Sequence, residues 1–133
     1  METEVRTTVD EVLGRVAELE PMIRAASAEA EIERRLSSRV ADALRDAGCY
    51  HLFRPRSRGG LELDPVSAFR VIEELSRIDS AAGWNVAQAN NAEPFGAWFS
   101  DETTAEVFGS SRTVMAGSFF PPRRAVPVEV ASV

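Results

Sequence analysis

The sequence predicts an all-α domain, and three observations carry that expectation. Apolar residues recur at three- and four-residue steps over most of the chain. Helix-capping residues stand at the starts of these runs, and glycine follows two of their ends. The β-prone stretches are confined to the C-terminal end. A length of 133 residues with 44% hydrophobic content suits one core.

The first helix starts at Thr8-Val9-Asp10-Glu11, a capping-box pattern in which threonine and glutamate satisfy each other's free backbone N–H groups. Val9, Val12, Leu13, Val16, Leu19, Ile23 and Ala26 then form one apolar stripe. Pro21 lies inside it, and a missing N–H with a steric clash against the preceding turn predicts a kink or break there. Ile32, Leu36, Val40, Leu44 and Ala47 continue the period in a second helix, which stops at Gly48, the residue type that tolerates a left-handed C′ position. An apolar patch, Cys49-Tyr50-His51-Leu52-Phe53, leads into the loop Arg54-Pro55-Arg56-Ser57-Arg58-Gly59-Gly60. Its three arginines read as solvated groups pairing with nearby acidic helices, with an anion contact as the alternative.

Asp64-Pro65 starts the next helix with an N-cap acceptor and proline at the first position. Val66, Phe69, Ile72, Leu75 and Ile78 are its expected apolar face, opposite Arg70, Glu73, Glu74 and Arg77. Asp79-Ser80 is a second cap, opening a stretch without charge from Ser80 to Ala92. A solvent-facing helix normally carries charge, so small neutral residues around Trp84 imply burial on several sides. Asn85, Gln88, Asn90 and Asn91 then need either backbone partners at a helix contact or a pocket to line. Phe95, Trp98 and Phe99 follow, and Ser100-Asp101-Glu102-Thr103 caps a short helix that carries Val107 and Phe108 and ends at Gly109. Thr113–Gly117 reads as a strand. Val126–Val130 is β-prone without a partner in the chain, so it pairs elsewhere or frays.

The net charge of −6 gives no global attraction to nucleic acid or anionic lipid. All fifteen basic residues are arginine, which excludes a lysine Schiff base and a P-loop lysine. Cys49 and His51 are the single cysteine and histidine, so neither an intrachain disulfide nor a multi-Cys/His zinc site is available, and no metal is expected. No apolar run spans a membrane and no secretory leader is read, which makes a reducing, cytoplasmic location the expectation. Cys49 and His51 have the proximity of a nucleophile and base, yet their apolar neighbours indicate core packing. Glu73-Glu74 reads as a solvated helix face. No G-x-S-x-G elbow, Walker loop, H-E-x-x-H helix or dinucleotide fingerprint is present.

The order of the pieces carries a resemblance. The helical pair is followed by Leu52-Phe53-Arg54-Pro55 with Gly59-Gly60-Leu61, then by Glu73-Glu74-Leu75-Ser76-Arg77-Ile78-Asp79-Ser80-Ala81-Ala82-Gly83-Trp84. This resembles the N-terminal helical domain of the acyl-CoA dehydrogenase superfamily. Trp84 and the run Ala116-Gly117-Ser118-Phe119-Phe120-Pro121-Pro122 before Arg124-Ala125 resemble its flavin-dependent, two-component monooxygenase branch. That branch hydroxylates phenols and other aromatics with reduced flavin from a partner reductase.

The resemblance implies an N-terminal helical domain at 1–112 and the truncated beginning of a middle β-domain at 113–133. Relatives of this kind continue past Glu129 into a further strand and a helical bundle, so a truncated, split or frameshifted member is expected, without catalytic residues of its own. Trp84, Asn85 and Gln88 are the implied substrate-binding residues, and Ser118, Phe119 and Phe120 the implied cofactor-binding residues. The implied cofactor is FAD or FMN, bound weakly or not at all by this chain alone. Implied partners are a small aromatic or acyl substrate, a flavin reductase and, at full length, further copies in a homotetramer, with neither nucleic acid nor membrane. An acyl-CoA dehydrogenase fragment and a non-catalytic helical interaction module are the competing functional readings.

Overall fold

The computed structural model describes residues 7–110, 112–117, 124 and 126. Among them the chain forms five α-helices, α1 (Val9–Glu33), α2 (Ser38–Asp46), α3 (Pro65–Ile78), α4 (Ser80–Ala92) and α5 (Asp101–Phe108), with short 3-10 turns between α2 and α3 and between α4 and α5. The all-α expectation holds.

The capping box forms as read: Thr8 N–H donates to Glu11 Oε2 at 2.8 Å and Glu11 N–H to Thr8 Oγ1 at 3.3 Å. Pro21, however, does not break α1, which runs through it as one 25-residue helix. Proline removes one backbone donor, but its ring is on the exposed side, and Val12, Val16 and Ile23 bury the same stripe before and after it. α1 packs against both α3 and α2. The break falls instead at Arg34, whose φ of 53° is left-handed, and Ser37 caps α2 by accepting from Val40 N–H. Ile32, expected on the second helix's apolar stripe, is 80% exposed at the end of α1.

Gly48 ends α2 at φ 86°, as its position predicts. The segment from His51 to Arg54 then runs beside Leu61–Leu63, with Leu61 N–H donating to His51 O at 2.9 Å, Leu63 N–H to Leu52 O at 2.8 Å and Glu62 N–H to Arg54 O at 3.0 Å. Gly60 is required for this approach, because a Cβ there would lie 2.0 Å from Arg54 O.

Asp64 and Pro65 start α3 as expected. Its buried stripe is Ala68, Val71, Leu75 and Ile78, whereas Val66 and Phe69 are 72% and 57% exposed. The apolar face read from the sequence was therefore out of phase in its first turn. Small Ala68 occupies the contact with the core, and Phe69 meets Phe53 edge-on at 6.3 Å at the rim.

Asp79 makes the whole connection between α3 and α4. Its N–H donates to Leu75 O, its Oδ1 accepts from Ala82 N–H at 2.8 Å, and its Oδ2 accepts from the Ser27 hydroxyl on α1. Gly83 lets the two helices close on each other, since a Cβ would stand 2.1 Å from Ser76 Oγ and 2.7 Å from Ser76 Cα. The core lies between α1, α2, α3 and α4, with Val16, Leu44, Leu52, Leu75 and Val86 fully buried.

Residues 113–117, read as a strand, are irregular, and Val114 packs partly against the core. Of the β-prone stretch Val126–Val130, only Val126 is among the described residues; it is 69% exposed.

Candidate functional site

The neutral helix α4 has two faces of different character. Ala82, Gly83, Val86, Ala89 and Asn90 are buried, while Ala81, Trp84, Asn85 and Asn91 are exposed and Gln88 is half-buried. The positions 81, 84, 85, 88 and 91 follow helical spacing, so Trp84, Asn85 and Gln88 share one outward, uncharged face. Trp84 is 65% exposed, and Phe95 and Trp98, on the 3-10 turn after α4, are exposed too. Burial on several sides, as expected from composition, is therefore only half correct.

The amides of α4 divide accordingly. Asn90 is fully buried and fully used: Oδ1 accepts from Leu52 N–H at 2.8 Å, and Nδ2 donates to Cys49 O at 2.8 Å and Val86 O at 2.9 Å. It is a structural clamp on the 3-10 turn Cys49–His51. Asn85 Oδ1 accepts from the Tyr50 hydroxyl at 2.7 Å, which fixes the amide and leaves its NH₂ group available. Burial pushes the Tyr50 phenol pKa up, so the hydroxyl stays a donor.

The structure also assembles a buried charged cluster that the sequence reading did not find. Glu93 receives two hydrogen bonds from Arg54, Nε to Oε2 at 2.9 Å and Nη2 to Oε1 at 2.7 Å, and His51 Nδ1 lies 3.2 Å from Oε1. Arg54 is 2% exposed, stacks 5.0 Å above the Phe108 ring and donates to Thr113 O at 3.1 Å. Burial tends to raise the Glu93 pKa, but the hydrogen bonds from His51 and Arg54 outweigh it and hold the carboxyl below its ordinary value. Arg54 is thus not the solvated loop arginine it was read as. The available signal was its place directly after Leu52-Phe53, and the isolation of Glu93 at the end of a neutral helix.

Beside this cluster is an apolar cavity of about 200 Å³, walled by Phe53, Pro55, Pro94 and Phe108. Trp84, Asn85 and Gln88 do not line it. The structure brings those three together on one outward helix face. Ser118, Phe119 and Phe120 lie outside the described residues. Cys49 is fully buried and its thiol is pushed up to about 12 by desolvation, in keeping with core packing. Among the described residues no cluster of three metal-ligating side chains occurs, and no helix is long and apolar enough to cross a membrane.

Five helices in this order, with the Asp79 corner and the uncharged outer face of α4, define a single helical lobe. The chain belongs to the acyl-CoA dehydrogenase N-terminal domain family, whose model matches residues 2–107. Among its relatives, it is 39% identical over 103 residues to indole-3-acetate monooxygenase of Pseudomonas putida, covering 77% of this chain and 26% of that protein. It is 29% identical over 111 residues to the flavin-dependent monooxygenase oxygenase subunit HsaA of Mycobacterium tuberculosis, covering 84% of this chain and 28% of that protein. The crystal structure of that HsaA monooxygenase superposes with a TM-score of 0.71 at 29% identity, over 77% of this chain and 28% of that one. The 3-HSA hydroxylase structure from Rhodococcus sp. RHA1 gives a TM-score of 0.64 at 29% identity, over 74% of this chain and 26% of that one. The chain thus spans about a quarter of the length of the relatives it matches.

Proposed function

We propose that this chain is the N-terminal helical part of a flavin-dependent, two-component monooxygenase that hydroxylates a small aromatic compound, with a separate reductase supplying reduced FAD or FMN. The observation that carries the reading is the 39% identity to indole-3-acetate monooxygenase across the helical lobe. The outer face of α4 is the part of the lobe suited to a substrate: Trp84 offers an aromatic surface, Asn85 an amide held by Tyr50, and Gln88 a second amide. A mostly apolar wall with a few fixed polar groups is the usual make-up of a small-molecule site.

The flavin is proposed to be held chiefly by parts of the protein outside the helical lobe. Ser118, Phe119 and Phe120 are proposed to approach the flavin, and no step of the oxygen chemistry is assigned to the described helices. Their role is to position the substrate and exclude water.

The test is to express the complete reading frame that contains these 133 residues and supply flavin, a flavin reductase, NADH, oxygen and a panel of aromatics that includes indole-3-acetate. A product heavier by one oxygen atom, formed with oxygen uptake, is expected. Oxidation of an acyl thioester to its enoyl form without oxygen incorporation would overturn the reading in favour of a dehydrogenase.

A further inference from the structure

After α5 the chain returns to the lobe through residues 112–117, which belong to no helix. Arg112 Nη2 donates to Asp42 Oδ1 on α2 at 3.1 Å, but the two side chains are 71% and 49% exposed, and an exposed pair contributes little. Val114 packs partly against the core. Between these two contacts the Thr113 carbonyl accepts from Arg54 Nη2 at 3.1 Å.

That donor is itself fixed. Arg54 is buried, bonded through Nε and Nη2 to Glu93, and stacked over the Phe108 ring. One guanidinium thus joins the residue that closes α4, the last residue of α5 and the outgoing chain. A planar fork of donors can serve several acceptors at once in fixed directions.

The tie limits where the following residues can reach. Ser118 stands five residues after Thr113 and ten after Phe108. An extended chain spans at most about 3.4 Å per residue, so a fixed Thr113 keeps Ser118 within about 17 Å, against about 34 Å if α5 were the last anchor. The effective concentration of a tethered group falls roughly as the −3/2 power of tether length, so a doubled tether lowers it about threefold. We propose that Arg54 is a positioning residue, acting through the Thr113 carbonyl to set where the chain leaves the lobe and so where Ser118, Phe119 and Phe120 meet the flavin. The tie to Thr113 stands by itself; its effect at the flavin rests on the monooxygenase reading.

Arg54→Lys keeps a cation opposite Glu93 but offers a point charge that cannot serve both carboxylate oxygens and the Thr113 carbonyl. The first measurement is ¹⁵N relaxation on the 133-residue chain. The amides of Val114 and Met115 should show order parameters near about 0.85 in the unsubstituted chain and below about 0.6 in Arg54→Lys, with α1–α4 unchanged. Asp42→Asn, which removes the exposed tie from Arg112, should leave both amides rigid. The second is a fluorescence titration of the complete reading frame with FMN and with FAD. The flavin that binds should do so about threefold more weakly to Arg54→Lys, and with unaltered affinity to Val16→Ala, which thins the core at α1. Val114 and Met115 mobile in the unsubstituted chain, rigid in Arg54→Lys, or freed equally by Asp42→Asn would each overturn the proposal. So would order lost across the helices of Arg54→Lys, or a flavin affinity that Arg54→Lys leaves unchanged or Val16→Ala lowers as much. Failure of the unsubstituted protein to bind either flavin would overturn the flavin reading and the positioning role with it, while the relaxation data would still decide whether Arg54 holds Thr113.

Discussion

Replacing Glu93 by glutamine tests whether the buried cluster at the end of α4 holds the lobe together. The substitution keeps the side-chain shape but leaves the Arg54 guanidinium, 2% exposed, facing a neutral amide. Removing one member of a buried ion pair costs about 3–5 kcal/mol, because the remaining charge is stranded away from water. Glutamine retains one acceptor, so the lower end, about 3 kcal/mol, is expected. With a denaturant slope of about 1.5 kcal/mol per molar, that lowers the urea midpoint by about 2 M, read by far-ultraviolet circular dichroism. Arg54→Met added to Glu93→Gln should recover part of the loss, giving a coupling of at least about 1 kcal/mol in the double-mutant cycle. The pH dependence follows from the lowered Glu93 pKa, set by burial opposed and exceeded by the hydrogen bonds from His51 and Arg54. The native carboxyl binds its proton less readily than the unfolded one, so the stabilisation is complete above the ordinary value of 4.5 and is lost as pH falls through the native pKa. The stability gap between wild type and Glu93→Gln should therefore shrink on acidification. A gap below about 1 kcal/mol at neutral pH, or strict additivity in the cycle, would refute the reasoning.

Four further outcomes are expected. Asn90→Ala leaves Leu52 N–H and Cys49 C=O without their buried partner and should cost about 2–4 kcal/mol in the same unfolding assay. Gly83→Ala puts a Cβ 2.7 Å from Ser76 Cα, where backbone must move, and should cost about 1–3 kcal/mol. Cys49 should resist a thiol reagent in the native chain at neutral pH and react fully in urea, because its thiol is buried and pushed up to about 12. Trp84→Ala removes an exposed side chain and should change stability by no more than about 0.5 kcal/mol, and on the proposed monooxygenase reading it should lower hydroxylated product relative to oxygen consumed in the assay of the complete reading frame.

Local chemistry was legible where it depends on adjacent residues. The Thr8–Glu11 box, the Asp64-Pro65 start, the Asp79 cap and the Gly48 stop all formed, because each is decided within one turn of helix. Pro21 does not break α1, because its cost is local whereas the burial of Val12, Val16 and Ile23 that overrides it is tertiary. The α3 stripe slipped because size is a poor guide to burial when a close contact wants Ala68 and leaves Phe69 at the rim. Glu93 and Arg54 stand 39 residues apart, and no spacing rule links them. The grouping of Trp84, Asn85 and Gln88 was readable from helical period alone; what lies opposite them is not a property of that helix.

The single-residue corner at Asp79 has a consequence for how the lobe presents α4. One carboxylate ties the start of α4 to Ser27 on α1, while the same residue's N–H closes α3. There is no linker in which a hinge could develop, so the three helices should tumble and exchange amide protons as one rigid body. The backbone that carries Trp84, Asn85 and Gln88 is then set relative to α1 and α3, so on the proposed function little backbone ordering is left for the moment of contact.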